Sequence, residues 1–536
     1  MAAPSYTEDL TDIDLAESGS TGWTAFNISG GGGGAPAFGA DFGMQGAGCW
    51  DKAASNAERA LAVNKTPGTG TVAAGVHIFV WGFNATPGVC TSLATRGAYV
   101  LIGTGTNAFV QFHVEGSDTY GASGRVAKCY PIDYVTTANT GSIPYRTVTG
   151  SPGATPTYFG FGINTNATVK GSNMGCDAIR YGTGAYITAG ESGNPATFAG
   201  FQAQNDNINN RWGILTAVGG GYELQGRFVI GQTNAGTPTL AYFDDSDKNI
   251  TIVDTVHSTT DFSQIIVDHA STICNLTNIN ITAAGTNNPG RFVVNNASST
   301  VDITGGTWTS IGITTLRAGC TVTGLTWRTT DAITLNGATL DSCVVDKNTA
   351  TSAVVASTLD NISNCVFISD GTGHAINLGT ISSTQSMNWD NTDSGYTAAS
   401  SGNETILVNV ATSQTLTINR LTGSSNPSVY NTGAGTVVVA ASYTHTIEGL
   451  ELNTEVTYVT ANTATELFHV ENATTSDGNG KYKTTYTHAG GATVDILIHH
   501  INYQPDVSNI YGLTLPSGNA TVKVQMFTDL NYANPA

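Results

Sequence analysis

Between Leu276 and Phe367 one six-residue pattern recurs five times, and a chain that repeats itself at such spacing is confined to a short list of folds. The copies are Leu276-Thr-Asn-Ile-Asn-Ile281, Ile303-Thr-Gly-Gly-Thr-Trp308, Val322-Thr-Gly-Leu-Thr-Trp327, Leu340-Asp-Ser-Cys-Val-Val345 and Ile362-Ser-Asn-Cys-Val-Phe367. Each opens on an aliphatic residue and closes on a large apolar one, and the closing residues step by 27, 19, 18 and 22. Second apolar runs accompany them: Phe292-Val-Val294, Ile313-Thr-Thr-Leu316, Ala332-Ile-Thr-Leu335 and Ala353-Val-Val355. A unit of two or three short strands cannot bury its apolar face alone, whereas stacked copies bury a continuous core. The pattern therefore predicts a parallel β-helix, a rod whose coils rise by one strand spacing, about 4.8 Å.

Composition supports an all-β chain. Of 536 residues only 11% are charged, and 64 are glycine. The 20 Tyr, 18 Phe and 7 Trp argue against disorder, which is poor in aromatics. A net charge of −19, without any Lys/Arg run, argues against nucleic acid or an anionic membrane as partner. The start, Met1 to Leu10, lacks the basic and apolar segments of a signal peptide, and no apolar stretch has the length of a membrane span. The expectation is a soluble protein made in a cytoplasm. Eight cysteines are too sparse for a disulfide scaffold. Cys343 and Cys365 share one slot of the repeat and are expected as buried thiols. Asn-x-Ser/Thr triplets, at Asn27, Asn84, Asn275, Asn280 and Asn361 among others, are what an Asn- and Thr-rich chain produces by chance.

Four modules are predicted. Residues 1–45 form an acidic arm with a Gly30 to Gly34 connector, suited to docking on another protein or to packing back through Trp23 and Phe26. Residues 46–240 read as a lectin-like jelly-roll sandwich, from alternating runs such as Val76 to Trp81, Ala98 to Ile102, Phe109 to Val114 and Gln225 to Ile230. Asp51 to Val63 is Ala-rich and predicts one short helix. Residues 241–440 carry the β-helix, and 441–536 a small Ig-like sandwich.

Two stretches carry family resemblance. Thr475-Ser-Asp-Gly-Asn-Gly-Lys-Tyr482, with Val494-Asp-Ile-Leu-Ile498 and Asn502-Tyr-Gln-Pro505, resembles the carboxypeptidase-regulatory-like sandwich. Ala178-Ile-Arg-Tyr-Gly-Thr-Gly-Ala-Tyr-Ile187, Phe201-Gln-Ala-Gln-Asn-Asp206 and Asn209-Asn-Arg-Trp-Gly213, with Val522-Lys-Val-Gln525 and Asp529-Leu-Asn-Tyr532, resemble virion structural proteins of tailed bacteriophages. That resemblance implies an N-terminal sandwich ahead of a β-helix, a place in a virion beside other virion proteins, and a homo-oligomer, most simply a trimer. It brings no catalytic residues.

Candidate chemistry is thin. Glycoside hydrolysis needs two carboxyls at a set separation, and the repeat region offers Asp302, Asp331, Asp341, Asp346, Asp360 and Asp370. Asp341, however, stands where other copies have Thr277, Thr304, Thr323 and Ser363, an ordinary outward polar slot. Asp477-Gly-Asn-Gly480 lacks an EF-hand ligand set, since Lys481 and His488 fall on ligand positions; it predicts a hairpin turn. His499 and His500 point to opposite strand faces. Asp244, Asp245 and Asp247 form an acidic turn, and Trp308 and Trp327 belong to an interior ladder, not to a sugar platform. No Gly-x-Ser-x-Gly elbow is present. The sequence thus predicts a non-enzymatic virion structural protein, with no catalytic, cofactor or metal residues and no cofactor. The alternatives are a tailspike-like glycan depolymerase and an adhesin for a host-surface glycan.

Overall fold

A computed structural model describes residues 3–16, 22–26, 37–39, 48–52, 58–64, 77–84, 97–115, 126–138, 146–164, 173–205, 213–232, 240–253, 263–284, 290–346, 350–397, 402–421, 423–441, 443–461, 465–488, 492–505, 509–516 and 519–528. The Gly30 to Gly34 connector, Asn209 to Trp212 and Asp529 to Tyr532 lie outside them. The described elements are strands, with a single helix, Phe198–Asn205. The fold is all-β. Two compact units divide the chain: residues 1–339 with 343–355, and residues 340–342 with 356–536.

In the first unit two antiparallel sheets share one core. His77–Asn84 lies between Val126–Ile132 and Asn173–Gly182 in one sheet; Gly97–Gly105 lies between Ala108–Glu115 and Tyr158–Asn164 in the other. Alternate residues from both, among them Ile78, Val80, Val100, Ile102, Val110, Phe112, Phe159 and Phe161, are buried together. The close approach of the sheets is set by Gly82. A Cβ there would lie 2.4 Å from the Phe161 ring, so only glycine fits.

Two expectations are corrected here. The described residues of Asp51 to Val63 are not helical: Gly48–Lys52 and Glu58–Asn64 are strands. Ala60 and Ala62 pack in one apolar cluster and Val63 in another. Strand burial on both sheet faces, Ala60 and Ala62 on one and Val63 on the other, overrides helix propensity. Nor are residues 5–14 a free arm. Ser5–Glu8 pairs with Ala185–Ala189, and Thr11–Asp14 with Asn173–Gly182. The Asp9 carboxylate accepts hydrogen bonds from Thr183 N at 2.9 Å, Gly184 N at 2.8 Å and Tyr186 Oη at 3.1 Å. Asp12 accepts from Arg180 Nε at 2.8 Å. The acidic residues that suggested a docking segment are the ones that fasten it.

Parallel ladders run through much of the rest of this unit. One runs through Ala185–Ala189, Arg227–Ile230, Gln264–Val267, Arg291–Val294, Thr314–Thr315 and Ile333–Thr334, so it takes in segments grouped above with the antiparallel strands. A second pairs Ile281 with Trp308, Trp308 with Trp327 and Trp327 with Val345. All four side chains are buried, and the two indoles meet edge to face at 6.0 Å. A third runs through Tyr242–Ser246, Ile273–Thr277, Thr300–Thr304 and Cys320–Thr323.

Between the third row and the second the chain turns through a left-handed residue, at Asp247, Asn278, Gly305 and Gly324 in successive coils, with φ of 56°, 52°, 67° and 68°, and Gly306 extends the Gly305 corner at 89°. This is the third position of the repeated hexapeptide. Asn, Asp and Gly are the residues that enter this region most readily, which explains the composition of the slot. Outside the corner, amides bridge coils: Asn278 Nδ2 donates to Asp247 at 3.2 Å, and Asn280 Nδ2 to Asn249 at 3.0 Å. The acidic turn has a structural task too. Asp245 Oδ2 accepts from Phe198 N at 2.8 Å and so caps the helix.

The second unit continues the pattern within itself. Leu340 and Asp341 pair with Ile362 and Ser363, and Ile362–Ile368 pairs with Gln385–Ser394, then Thr415–Arg420 and Thr436–Ala441 follow, all parallel. Two four-stranded sheets close the chain around Ile447, Val456, Tyr458, Val494, Ile496 and Ile498. The turn at Asp477 is a hairpin closed on its own carboxylate, which accepts from Asn479 N at 2.7 Å and Lys481 N at 3.2 Å.

Candidate active site

Of the carboxylates singled out in the sequence, most are accounted for locally. Asp346 lies 3.7 Å from Arg328, Asp360 accepts from Asn388 N at 2.8 Å, and Asp370 closes its own turn by accepting from Thr372 N at 3.2 Å and Thr372 Oγ1 at 2.9 Å. Asp302 is exposed on its strand, and Asp331 is half-buried. Asp341 is different.

Asp341 is the register partner of Ser363, and Ser363 is the register partner of Asp390. Two aspartates thus stand in one outward row, two strand spacings apart, about 10 Å between their backbones. Their surroundings differ. Asp341 Oδ1 accepts from Asn364 Nδ2 at 2.9 Å and Ser363 Oγ at 3.0 Å, and its Oδ2 accepts from Ser342 Oγ at 3.1 Å. These bonds hold its carboxyl below the usual carboxylate range. Partial burial, and then the charge of Asp341, push Asp390 upward. One group is kept ionised and the other is made readier to hold a proton, the division of labour that acid–base pairs require.

A bulge builds the floor of the site. From Ser363 to Val366 one strand spends two residues, Asn364 and Cys365, where its partner between Asp390 and Thr392 spends one, Asn391. The buried Asn391 carboxamide replaces the missing ladder bonds: its Oδ1 accepts from Cys365 N at 2.9 Å, and its Nδ2 donates to Ile362 O at 3.0 Å. Bulges of this kind re-aim neighbouring side chains. Here the distortion opens a cavity of about 340 Å³ lined by Asn364, Val366, Asp390, Thr392 and Ser424, with Asn391 beneath.

A second constellation lies on another ladder of the same unit. His374 Nδ1 donates to the Glu404 carbonyl O at 2.9 Å, lies 3.8 Å from the Glu404 carboxylate, and is stacked on Tyr430 at 6.1 Å. Both residues of the pair are buried, so its role is in the coil interior. Among the described residues no group of three or more His, Cys, Asp or Glu side chains could hold a metal ion, and no helix is long and apolar enough to cross a membrane.

The repeat pattern places Asp341 in an outward slot, where the structure has it; Asp390 is not among the residues that pattern picks out, because Trp389, not an aliphatic residue, fills the opening position opposite Ile362, and the bulge then breaks the hexapeptide spacing. An aromatic followed by Asp, at coil distance from Ile362-Ser363, was the available signal.

No family model matches the chain, and no curated protein matches it. Among solved structures it is similar to the catalytic domain of a GH87 alpha-1,3-glucanase in complex with nigerose, at 10% identity and a TM-score of 0.15, covering 78% of this chain and 75% of that one. The expectation that the chain is not an enzyme is withdrawn, since the row Asp341–Ser363–Asp390 supplies a candidate pair of carboxylates. It had rested on seeing no catalytic pair in the sequence. At that TM-score the likeness places no catalytic residue here; the candidate pair stands on its own geometry.

Proposed function

We propose that the protein acts on glycans as a tailspike-like depolymerase, hydrolysing glycosidic bonds at the row Asp341–Ser363–Asp390. The observation that carries this reading is two carboxylates of opposed acidity, in one row, beside an open cavity. Asp390 gives its proton to the glycosidic oxygen as the bond from the anomeric carbon to that oxygen breaks. Asp341 takes a proton from water as the water oxygen bonds to the anomeric carbon. The products are two shorter chains, one with a new reducing end. A backbone separation of about 10 Å leaves room for a water between the two side chains.

The virion setting implied by the resemblance belongs to the same proposal. In it, the jelly-roll sandwich, the β-helix and the Ig-like terminal sandwich are parts of a homotrimer on a tailed-phage particle, made in the host cytoplasm and directed at a surface glycan. The test is release of reducing ends from host surface polysaccharide by the wild type and by Asp341→Asn and Asp390→Asn. Equal activity in all three sinks the assignment. Binding to the glycan with no cleavage by any of them favours the adhesin.

A further inference from the structure

We propose that the saccharide taken by this site is uncharged, a polymer of neutral hexoses; the inference rests on the hydrolase reading above and narrows its substrate. The argument starts from the walls of the cavity. Asn364, Thr392 and Ser424 supply an amide and two hydroxyls, Val366 supplies an apolar patch that is 36% exposed, and Asp390 supplies the one charge among the described lining residues. None of the lining residues is Lys or Arg.

The wider neighbourhood has the same character. From residue 356 to 441 the chain carries one Arg, Arg420, and no Lys, against four Asp and one Glu. Arg420 is the register partner of Trp389, whose side chain is buried, and it does not line the cavity. A uronate or sialate ring seated here would set its carboxylate against Asp390 and Asp341 with no Lys or Arg among the described lining residues to receive it, in a molecule that already carries a net charge of −19. A neutral ring meets no such repulsion. Its C–H face can rest on Val366. Its hydroxyls can donate to the Asn364 carboxamide oxygen, since that side chain's Nδ2 is committed to Asp341, and to the exposed Thr392 hydroxyl. Ser424 Oγ donates to Leu421 O at 2.6 Å and is left as an acceptor. These are the partners that hydroxyl-rich, uncharged ligands use.

The experiment compares reducing-end release by the full-length protein from a glucan, a mannan and a galactan with release from an alginate, a pectin and a hyaluronan, the latter three with and without calcium. Asp390→Asn serves as the blank. The expected result is cleavage of at least one neutral polymer, at a rate about ten-fold or more above any acidic one, abolished in the blank. Thr392→Lys, at the exposed rim, should raise the acidic rates relative to the neutral one. Cleavage of an acidic polymer equal to or better than the neutral ones, with or without calcium, overturns the inference and leaves the hydrolase reading standing. Cleavage of none of the six, or cleavage that survives in Asp390→Asn, overturns both.

Discussion

Asp341 and Asp390 are each aligned with Ser363, one on either side of it, and the Ser363 hydroxyl donates to Asp341 at 3.0 Å. From this asymmetry comes the first prediction, a bell-shaped pH dependence. The acid limb belongs to Asp341, whose carboxyl is held low by Asn364 and Ser363; the alkaline limb belongs to Asp390, raised by burial and by the Asp341 charge. Asn364→Ala removes one of the bonds to the ionised form, so the acid limb should move to higher pH while the alkaline limb stays. An acid limb that does not move in kcat/KM profiles would show that Asp341 is not the base. The same depression links to folding. Asp341 contributes stability above its unfolded value, and that contribution is lost as pH falls through the folded one.

Asn391 should matter to the fold more than to the chemistry. Asn391→Ala strips Cys365 N–H and the Ile362 carbonyl of their partners, and each buried group left unsatisfied costs about 1–3 kcal/mol. Denaturant midpoints should fall accordingly. Unchanged stability would mean that water replaces the carboxamide.

Trp327 closes its copy of the repeat from the interior, edge to face with Trp308. Trp327→Ala should cost about 3–5 kcal/mol and lower the melting temperature. A surface tryptophan, easily quenched by acrylamide, would contradict the register.

Gly82 tests packing in the other direction. Its position against the Phe161 ring leaves no room for a methyl group, and overpacking of a filled core costs about 1–3 kcal/mol. Gly82→Ala should destabilise the first unit, and Gly82→Ala with Phe161→Leu should recover part of the loss. Additive losses would place the strain elsewhere.

Acid should weaken the terminal sheets. His445, bonded to Tyr458 Oη at 2.8 Å, and His488, beside Tyr443 and Tyr486, are both pushed down by burial, and His488 also by His445. Below about pH 6.5 the unfolded chain takes up protons that the folded one refuses. Stability is therefore full above that value and declines as pH falls toward the lowered folded values. Thermal melts at pH 7 and pH 5 should differ by several degrees, and the difference should shrink in His445→Gln.

The interior of the coils was legible in the sequence because burial acts on single positions. Leu276, Ile303, Val322, Trp308 and Trp327 each repeat a slot, and a slot is visible as spacing. The pairing of residues 5–14 was not legible, since strands that add to a sheet at long range leave no local period. Ala60 and Ala62 misled for a related reason: alanine reports close packing as readily as helix. At the candidate site, Asp341 could be read and Asp390 could not, because the bulge at Asn364 and Cys365 displaces by one residue everything that follows Ser363.

The left-handed corner makes the chain modular in length. Joining Thr304 to Gly324 by removing residues 305–323 would carry the path from one corner to the next, and Trp327 would then come to rest on Ile281 in the place Trp308 now holds. Each cut of that kind returns the same corner, the same inward ladder and the same outward polar row. The extent of the surface is thus a number of coils, open to change by whole steps without redesign of any one of them.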